Sequence, residues 1–120
     1  MAIKRILIIE DDIHLADSLS ELLEDEGYFV ECAKDAVKGE ILIRKGNFDV
    51  ILLDYKMPLL SGIDILKKLK ADNIRKRIFI VSGRPSTERS LKEEDVFDMI
   101  SGIIVKPINI EAFLEKIKNA

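Results

Sequence analysis

Apolar residues follow two alternating patterns along the chain. Short runs of four or five residues, rich in Ile, Val and Leu, are separated by longer stretches whose apolar positions recur every three or four residues. The short runs are Ile6–Ile9, Tyr28–Cys32, Asp49–Leu53, Ile78–Val81 and Gly102–Val105, and each predicts a strand. Asp49–Leu53 is apolar on both faces, so it belongs in the middle of a parallel sheet with cover on each side. Between the strands, Leu15, Ala16, Leu19, Leu22 and Leu23 keep helical spacing up to a stop at Gly27. Asp35 can cap a helix running through Ile41 and Leu42 to about Lys45. Gly62–Lys70 predicts a helix with Ile65, Leu66 and Leu69 inward, and Asn109 caps a last one carrying Phe113, Leu114 and Ile117. Ser86 to Met99 has helical charges, but Leu91, Val96 and Phe97 keep poor period, so its helix is predicted without definite bounds.

Five strands alternating with five helices predict a three-layer α/β sandwich around a parallel sheet, doubly wound because crossovers are right-handed. Ligands on such sheets bind beyond the carboxyl ends of the strands. The chain's 120 residues suit a single domain spanning 1–120, and 48% hydrophobic residues suffice for its core. A net charge of -3 argues against a nucleic-acid partner. The lone cysteine, Cys32, excludes an internal disulfide and a multi-Cys zinc site, and reads as a small buried residue. No apolar run approaches ~20 residues, so no membrane span is expected. Met1 to Arg5 lacks the apolar core of a signal peptide, and the expected location is the cytoplasm.

The first strand ends in Glu10, Asp11 and Asp12, the third in Asp54, the fourth in Ser82 and the fifth in Lys106. The second offers no constellation. Carboxylates suit Mg²⁺, a hard cation that takes oxygen ligands, and a metal would relieve their mutual repulsion. An ammonium and a hydroxyl can each grip a phosphoryl oxygen. A carboxylate beside the metal can itself be the nucleophile, and Asp54 stands alone at the end of the central strand. Taken one at a time, Asp11 and Asp12 read as first-turn helix acids. Ser82 alone reads as a turn residue and Lys106 as a surface lysine. Their joint placement reverses those readings for all but Asp12. His14 reads as an exposed helix residue, since Mg²⁺ prefers oxygen, and Lys67, Lys68 and Lys70 as a solvated helix face.

The motifs "IIEDD", "LLDYKMPLLSG", "IVSG" and "VKP" stand at four strand ends. In their order and spacing, from Lys4 to Lys118, the chain resembles the receiver domain of two-component response regulators. The resemblance implies a sheet of order 2-1-3-4-5. It assigns Mg²⁺, with Mn²⁺ as the alternative, to Glu10, Asp11, Asp54 and the backbone carbonyl of Lys56. It makes Asp54 the phosphoacceptor, Ser82 the switch hydroxyl and Lys106 the phosphate contact. Met57, Pro58 and Gly62 match the turn after the phosphoacceptor, and the Lys106–Pro107 bond is expected to be cis. The implied partners are a sensor histidine kinase or histidine phosphotransfer protein, and a downstream protein or an output domain outside this chain; a phosphorylation-dependent dimer is compatible with it. Such a domain catalyses only its own phosphorylation and dephosphorylation and is not an enzyme with a separate substrate.

Three positions depart from that pattern. Ile103 stands where the family usually has Tyr or Phe. "VFDMISG" lacks the usual Gly-Ala step before the fifth strand. Lys56 and Arg84 add cations to the rim beside Asp54. The first and second favour an alternative, a degenerate receiver acting as a phosphorylation-independent interaction module. An aspartate-dependent phosphatase of the haloacid dehalogenase type wants a second Asp where Lys56 stands. A flavin-binding domain wants a Ser/Thr/Gly-rich first loop that is absent here.

Overall fold

Each of the short apolar runs forms a strand of one parallel sheet. The computed structural model describes residues 4–120, and expectations for Met1 to Ile3 lie outside the described residues. The strands are β1 (Arg5–Ile9), β2 (Phe29–Ala33), β3 (Val50–Asp54), β4 (Ile78–Ser82) and β5 (Gly102–Val105). The helices are α1 (Ile13–Asp25), α2 (Ala36–Lys45), α3 (Gly62–Ala71), α4 (Thr87–Glu93) and α5 (Ile110–Lys118). The sheet runs β2-β1-β3-β4-β5 with every pairing parallel, the predicted doubly wound order.

Alternation along the strands divides the core. Ile6, Ile8, Val50, Leu52, Phe79 and Val81 face α1 and α5, where Leu19, Leu23, Phe113 and Ile117 meet them. Leu7, Ile9, Ile51, Leu53, Ile78 and Ile80 face α2, α3 and α4, meeting Ile43, Ile65, Leu66, Leu69 and Leu91. Side chains of β3 and β4 are buried at every position, as expected of strands covered on both faces. Helix starts follow local chemistry. Asp12, Asp35 and Asn109 each accept a backbone N–H of the first turn at 3.2, 2.8 and 2.9 Å.

The structure corrects three expectations. β2 begins and ends one residue later than expected, and β3 likewise, so Asp54 is itself a strand residue. Cys32 is half-buried rather than buried, because β2 is an edge strand, and the burial it has pushes its thiol pKa up. The segment from Ser86 to Met99 is not one helix. α4 stops at Glu93, Asp95 takes a positive φ of 58°, and a 3-10 turn at Phe97–Met99 follows. That turn lets Leu91, Val96 and Met99 reach the core and leaves Phe97 exposed, which is why Leu91, Val96 and Phe97 keep no single period. Lys67 and Lys68 are exposed, as expected of a solvated helix face, and Lys70 is partly covered; all three also find acidic partners. Lys67 pairs with Glu94 at 3.0 Å, Lys70 with Asp98 at 3.0 Å, and Lys68 with Glu40 at 3.5 Å. Exposed pairs of this kind contribute little individually, but two of them tether the end of α4 and its following turn to α3.

Gly39 marks the tightest contact between α2 and the sheet. A Cβ there would sit 2.6 Å from Cγ2 of Ile9, a fully buried, branched side chain with little freedom to move. Gly39→Ala is expected to destabilise the fold by about 1–3 kcal/mol, overriding the better helix propensity of Ala. Urea unfolding measures this, and a neutral result would mean that α2 can draw away from β1.

Candidate functional site

Glu10 follows β1 and extends its ladder by one bond, donating its N–H to Ala33 O at 3.0 Å. That pins the residue, and its side chain is buried to 2% exposure. Its Oε2 accepts the N–H of Asp12 at 3.2 Å, while the Asp12 side chain caps α1. The three adjacent acids therefore separate: Glu10 points inward, Asp11 is exposed at the rim, and Asp12 serves the helix. Asp54, the last residue of β3, is 5% exposed between β1 and β4. Gly62 lets α3 start close by. A Cβ there would stand 3.0 Å from Asp54 O, and its own N–H reaches Tyr55 O at 3.0 Å. A capping box between Ser61 and Asp64 fixes that helix start.

Carboxylate oxygens of Glu10, Asp11 and Asp54 all lie within 4.8 Å of one another. Lys106, just after β5, reaches in with its Nζ 3.3 Å from Glu10 Oε1 and 3.3 Å from Asp54 Oδ1. Its peptide bond to Pro107 is cis. These residues share a cleft of about 300 Å³ with Lys56, Ser82 and Arg84. Every sequence-predicted site residue is thus brought to one rim. His14 is exposed on α1 and takes no part in the acidic cluster. No residue of β2 lines the cleft.

Among the described residues, Lys106 is the one cation paired with the clustered carboxylates, touching Glu10 and Asp54. Burial, reinforced by the adjacent Asp54 carboxylate, raises the Glu10 pKa from 4.5 to about 7. Burial would lower the Lys106 pKa, but Asp54 and Glu10 outweigh it and hold the ammonium above the ordinary lysine value. An all-oxygen, anionic and partly desolvated donor set fits a hard divalent cation such as Mg²⁺.

The raised Glu10 pKa has a defined sign. Between 4.5 and about 7 the folded protein holds a proton that the unfolded chain has released. Metal-free stability from this group is therefore fully present below 4.5 and is lost as pH rises through about 7. A divalent cation held by these carboxylates would have to displace that proton, so Mg²⁺ affinity is expected to rise over the same window. Urea unfolding in chelator and Mg²⁺ titration at about pH 5 and about pH 8 measure both trends, and Glu10→Gln is expected to flatten both. A wild type whose stability and affinity are already flat would refute this.

One polar residue of the site escaped sequence reasoning. Thr87, the first residue of α4, is 2% exposed, and its Oγ1 lies 2.6 Å from Ser82 Oγ. In "RPSTERS" it reads as part of a helix start. Yet Ser86 makes no side-chain cap bond, and Thr87 turns inward instead. The only signal was a hydroxyl five residues after Ser82.

Comparison with known proteins agrees with this geometry. The family model described as the response regulator receiver domain matches residues 6–118. The chain is 30% identical over 114 residues to the chemotaxis protein CheY-3 of Vibrio cholerae, covering 94% of this chain and 88% of that protein. It is 28% identical over 121 residues to the transcriptional regulatory protein DltR of Streptococcus agalactiae, covering 95% of this chain and 50% of that protein. The chain thus spans about half the length of DltR. A crystal structure of a CheY-like receiver domain protein from Methanospirillum hungatei superposes with a TM-score of 0.85 at 36% identity, covering 98% of this chain and 93% of that one.

Proposed function

The chain belongs to the response regulator receiver domain family of two-component signalling, and from that premise we propose that it is a phosphorylation switch whose acceptor is Asp54. The observation that carries this reading is a buried aspartate at the end of the central strand, with two further carboxylates within ligand reach and an ammonium at 3.3 Å. The donor is a phosphohistidine on a sensor kinase or phosphotransfer protein. An Asp54 oxygen attacks phosphorus in line, the P–N bond breaks, and the imidazole leaves with the electron pair. Lys106 supplies positive charge to one equatorial oxygen and Ser82 a hydrogen bond to another. Glu10, Asp11, Asp54 and the carbonyl of Lys56 would hold Mg²⁺ or Mn²⁺. When bound, the cation neutralises charge on the phosphoryl oxygens.

Treatment with acetyl phosphate and Mg²⁺, read by intact mass, tests this. A gain of roughly 80 Da, the mass of one phosphoryl group, located on the peptide carrying Asp54 and lost in chelator, is expected. Its absence would favour the second reading, a phosphorylation-independent interaction module. That reading draws on the aliphatic Ile103 and on α4 ending at Glu93. Among the described residues no helix is long and apolar enough to cross a membrane.

A further inference from the structure

The hydroxyl of Ser82 is already engaged, and counting protons shows with whom. Thr87 Oγ1 lies 2.8 Å from the carbonyl oxygen of Arg84. A carbonyl only accepts, so the single hydroxyl proton of Thr87 is committed there. The proton in the 2.6 Å contact between Ser82 Oγ and Thr87 Oγ1 must then come from Ser82. Ser82 Oγ in turn accepts the N–H of Arg84 at 3.0 Å. The three bonds close a ring within residues 82–87, and both hydroxyls are buried, Ser82 at 4% and Thr87 at 2% exposure. In this state Ser82 has no proton to offer an anionic oxygen. A phosphoryl oxygen brings only lone pairs, so meeting it requires the Ser82 O–H to leave Thr87.

We propose that Thr87 is a positioning residue that latches Ser82 in the unphosphorylated state, holding its proton away from Asp54 until a phosphoryl oxygen competes for it. This rests on Asp54 being the phosphoacceptor. The latch is the local two-state element: either the ring is closed, or Ser82 is turned toward the acyl phosphate with Thr87 released. Thr87 opens α4, so opening the ring frees the start of that helix. Its far end stays tied to α3 through Lys67 and Glu94. Ile103 lies in the same row across the sheet as Leu53 and Ile80 and has no polar group to compete for Ser82.

The probe is beryllium fluoride with Mg²⁺, a tetrahedral mimic that attaches to a carboxylate without group transfer, followed by fluorine NMR and by the Gly83 amide. Thr87→Val removes the oxygen that holds the Ser82 proton and is expected to tighten beryllium fluoride binding about three- to tenfold, the worth of one buried hydrogen bond. Thr87→Ser keeps the oxygen and should bind as wild type does. In a Ser82→Ala background Thr87→Val should change nothing. In the unmodified protein, hydrogen exchange at the Arg84 amide should quicken in Thr87→Val and not in Thr87→Ser. Thr87→Ala carries the same expectations if the valine variant does not fold.

Unchanged or weaker binding in a folded Thr87→Val, or an effect that persists without Ser82, would overturn the latch while leaving Asp54 as acceptor. No complex with wild-type protein would overturn both.

Discussion

Asp54→Asn is expected to abolish the phosphoryl adduct entirely while making the metal-free protein more stable. The amide has nearly the shape of the carboxylate, but it is no nucleophile, so the acyl phosphate cannot form. Its effect on stability follows from its neighbours. Asp54 is 5% exposed beside Glu10, whose pKa stands at about 7 partly because Asp54 is there. Removing that negative charge lets Glu10 ionise alone against Lys106, and the pKa of Glu10 falls toward its ordinary value. Each unit of that fall is worth about 1.4 kcal/mol at a pH where Glu10 is charged. Mg²⁺ affinity should drop, because one of the three clustered carboxylates is gone. Intact mass after acetyl phosphate treatment and urea unfolding in chelator read the two effects. An undiminished adduct would mean that another residue is the acceptor. A loss of stability would mean that the Asp54 pair with Lys106 at 3.3 Å outweighs the relief of Glu10.

Lys106→Met should move phosphoryl transfer and metal binding in opposite directions. The ammonium is the only cation within 4 Å of the buried Glu10 and Asp54 carboxylates among the described residues. If, as proposed, it donates to the developing phosphoryl charge, its loss should slow phosphorylation about 100-fold or more. The same ammonium repels a divalent cation and occupies oxygens on two of the three carboxylates, so Mg²⁺ should bind more tightly in the variant. Without metal, the two acids lose their counter-ion. Breaking a fully buried pair costs about 3–5 kcal/mol, and less is expected here because the Lys106 side chain is 30% exposed. Saturating Mg²⁺ should restore much of that loss. The rate of adduct formation and a calorimetric Mg²⁺ titration decide the matter. If affinity falls together with rate, Lys106 only props up the acidic cluster.

Much of the fold was legible because its reasons are local. A strand covered on both faces must be apolar at every position, and Val50 to Leu53 are. Asp35 and Asn109 cap helices through their own side chains, within three residues of the groups they satisfy. Where locality failed, reading failed. Leu91, Val96 and Met99 share a core but not a helix, because the chain reverses at Asp95. Lys67 and Lys70 find partners beyond β4 that no spacing on α3 announces.

For the site, the residue types and their strand-end positions were already present along the chain: Glu10, Asp11, Asp54, Ser82 and Lys106 each follow or close an apolar run. That much is settled by the sequence, since a polar residue ending a buried strand of a parallel sheet can emerge only at one rim. The properties that make those residues act together were settled by tertiary structure. The pKa of Glu10 depends on burial and on Asp54, from a strand far along the chain. The direction of the Ser82 proton depends on Thr87 and on a carbonyl of the loop between them. Desolvation and proton ownership are set by the atoms that surround a group, and those neighbours exist only once the chain has folded.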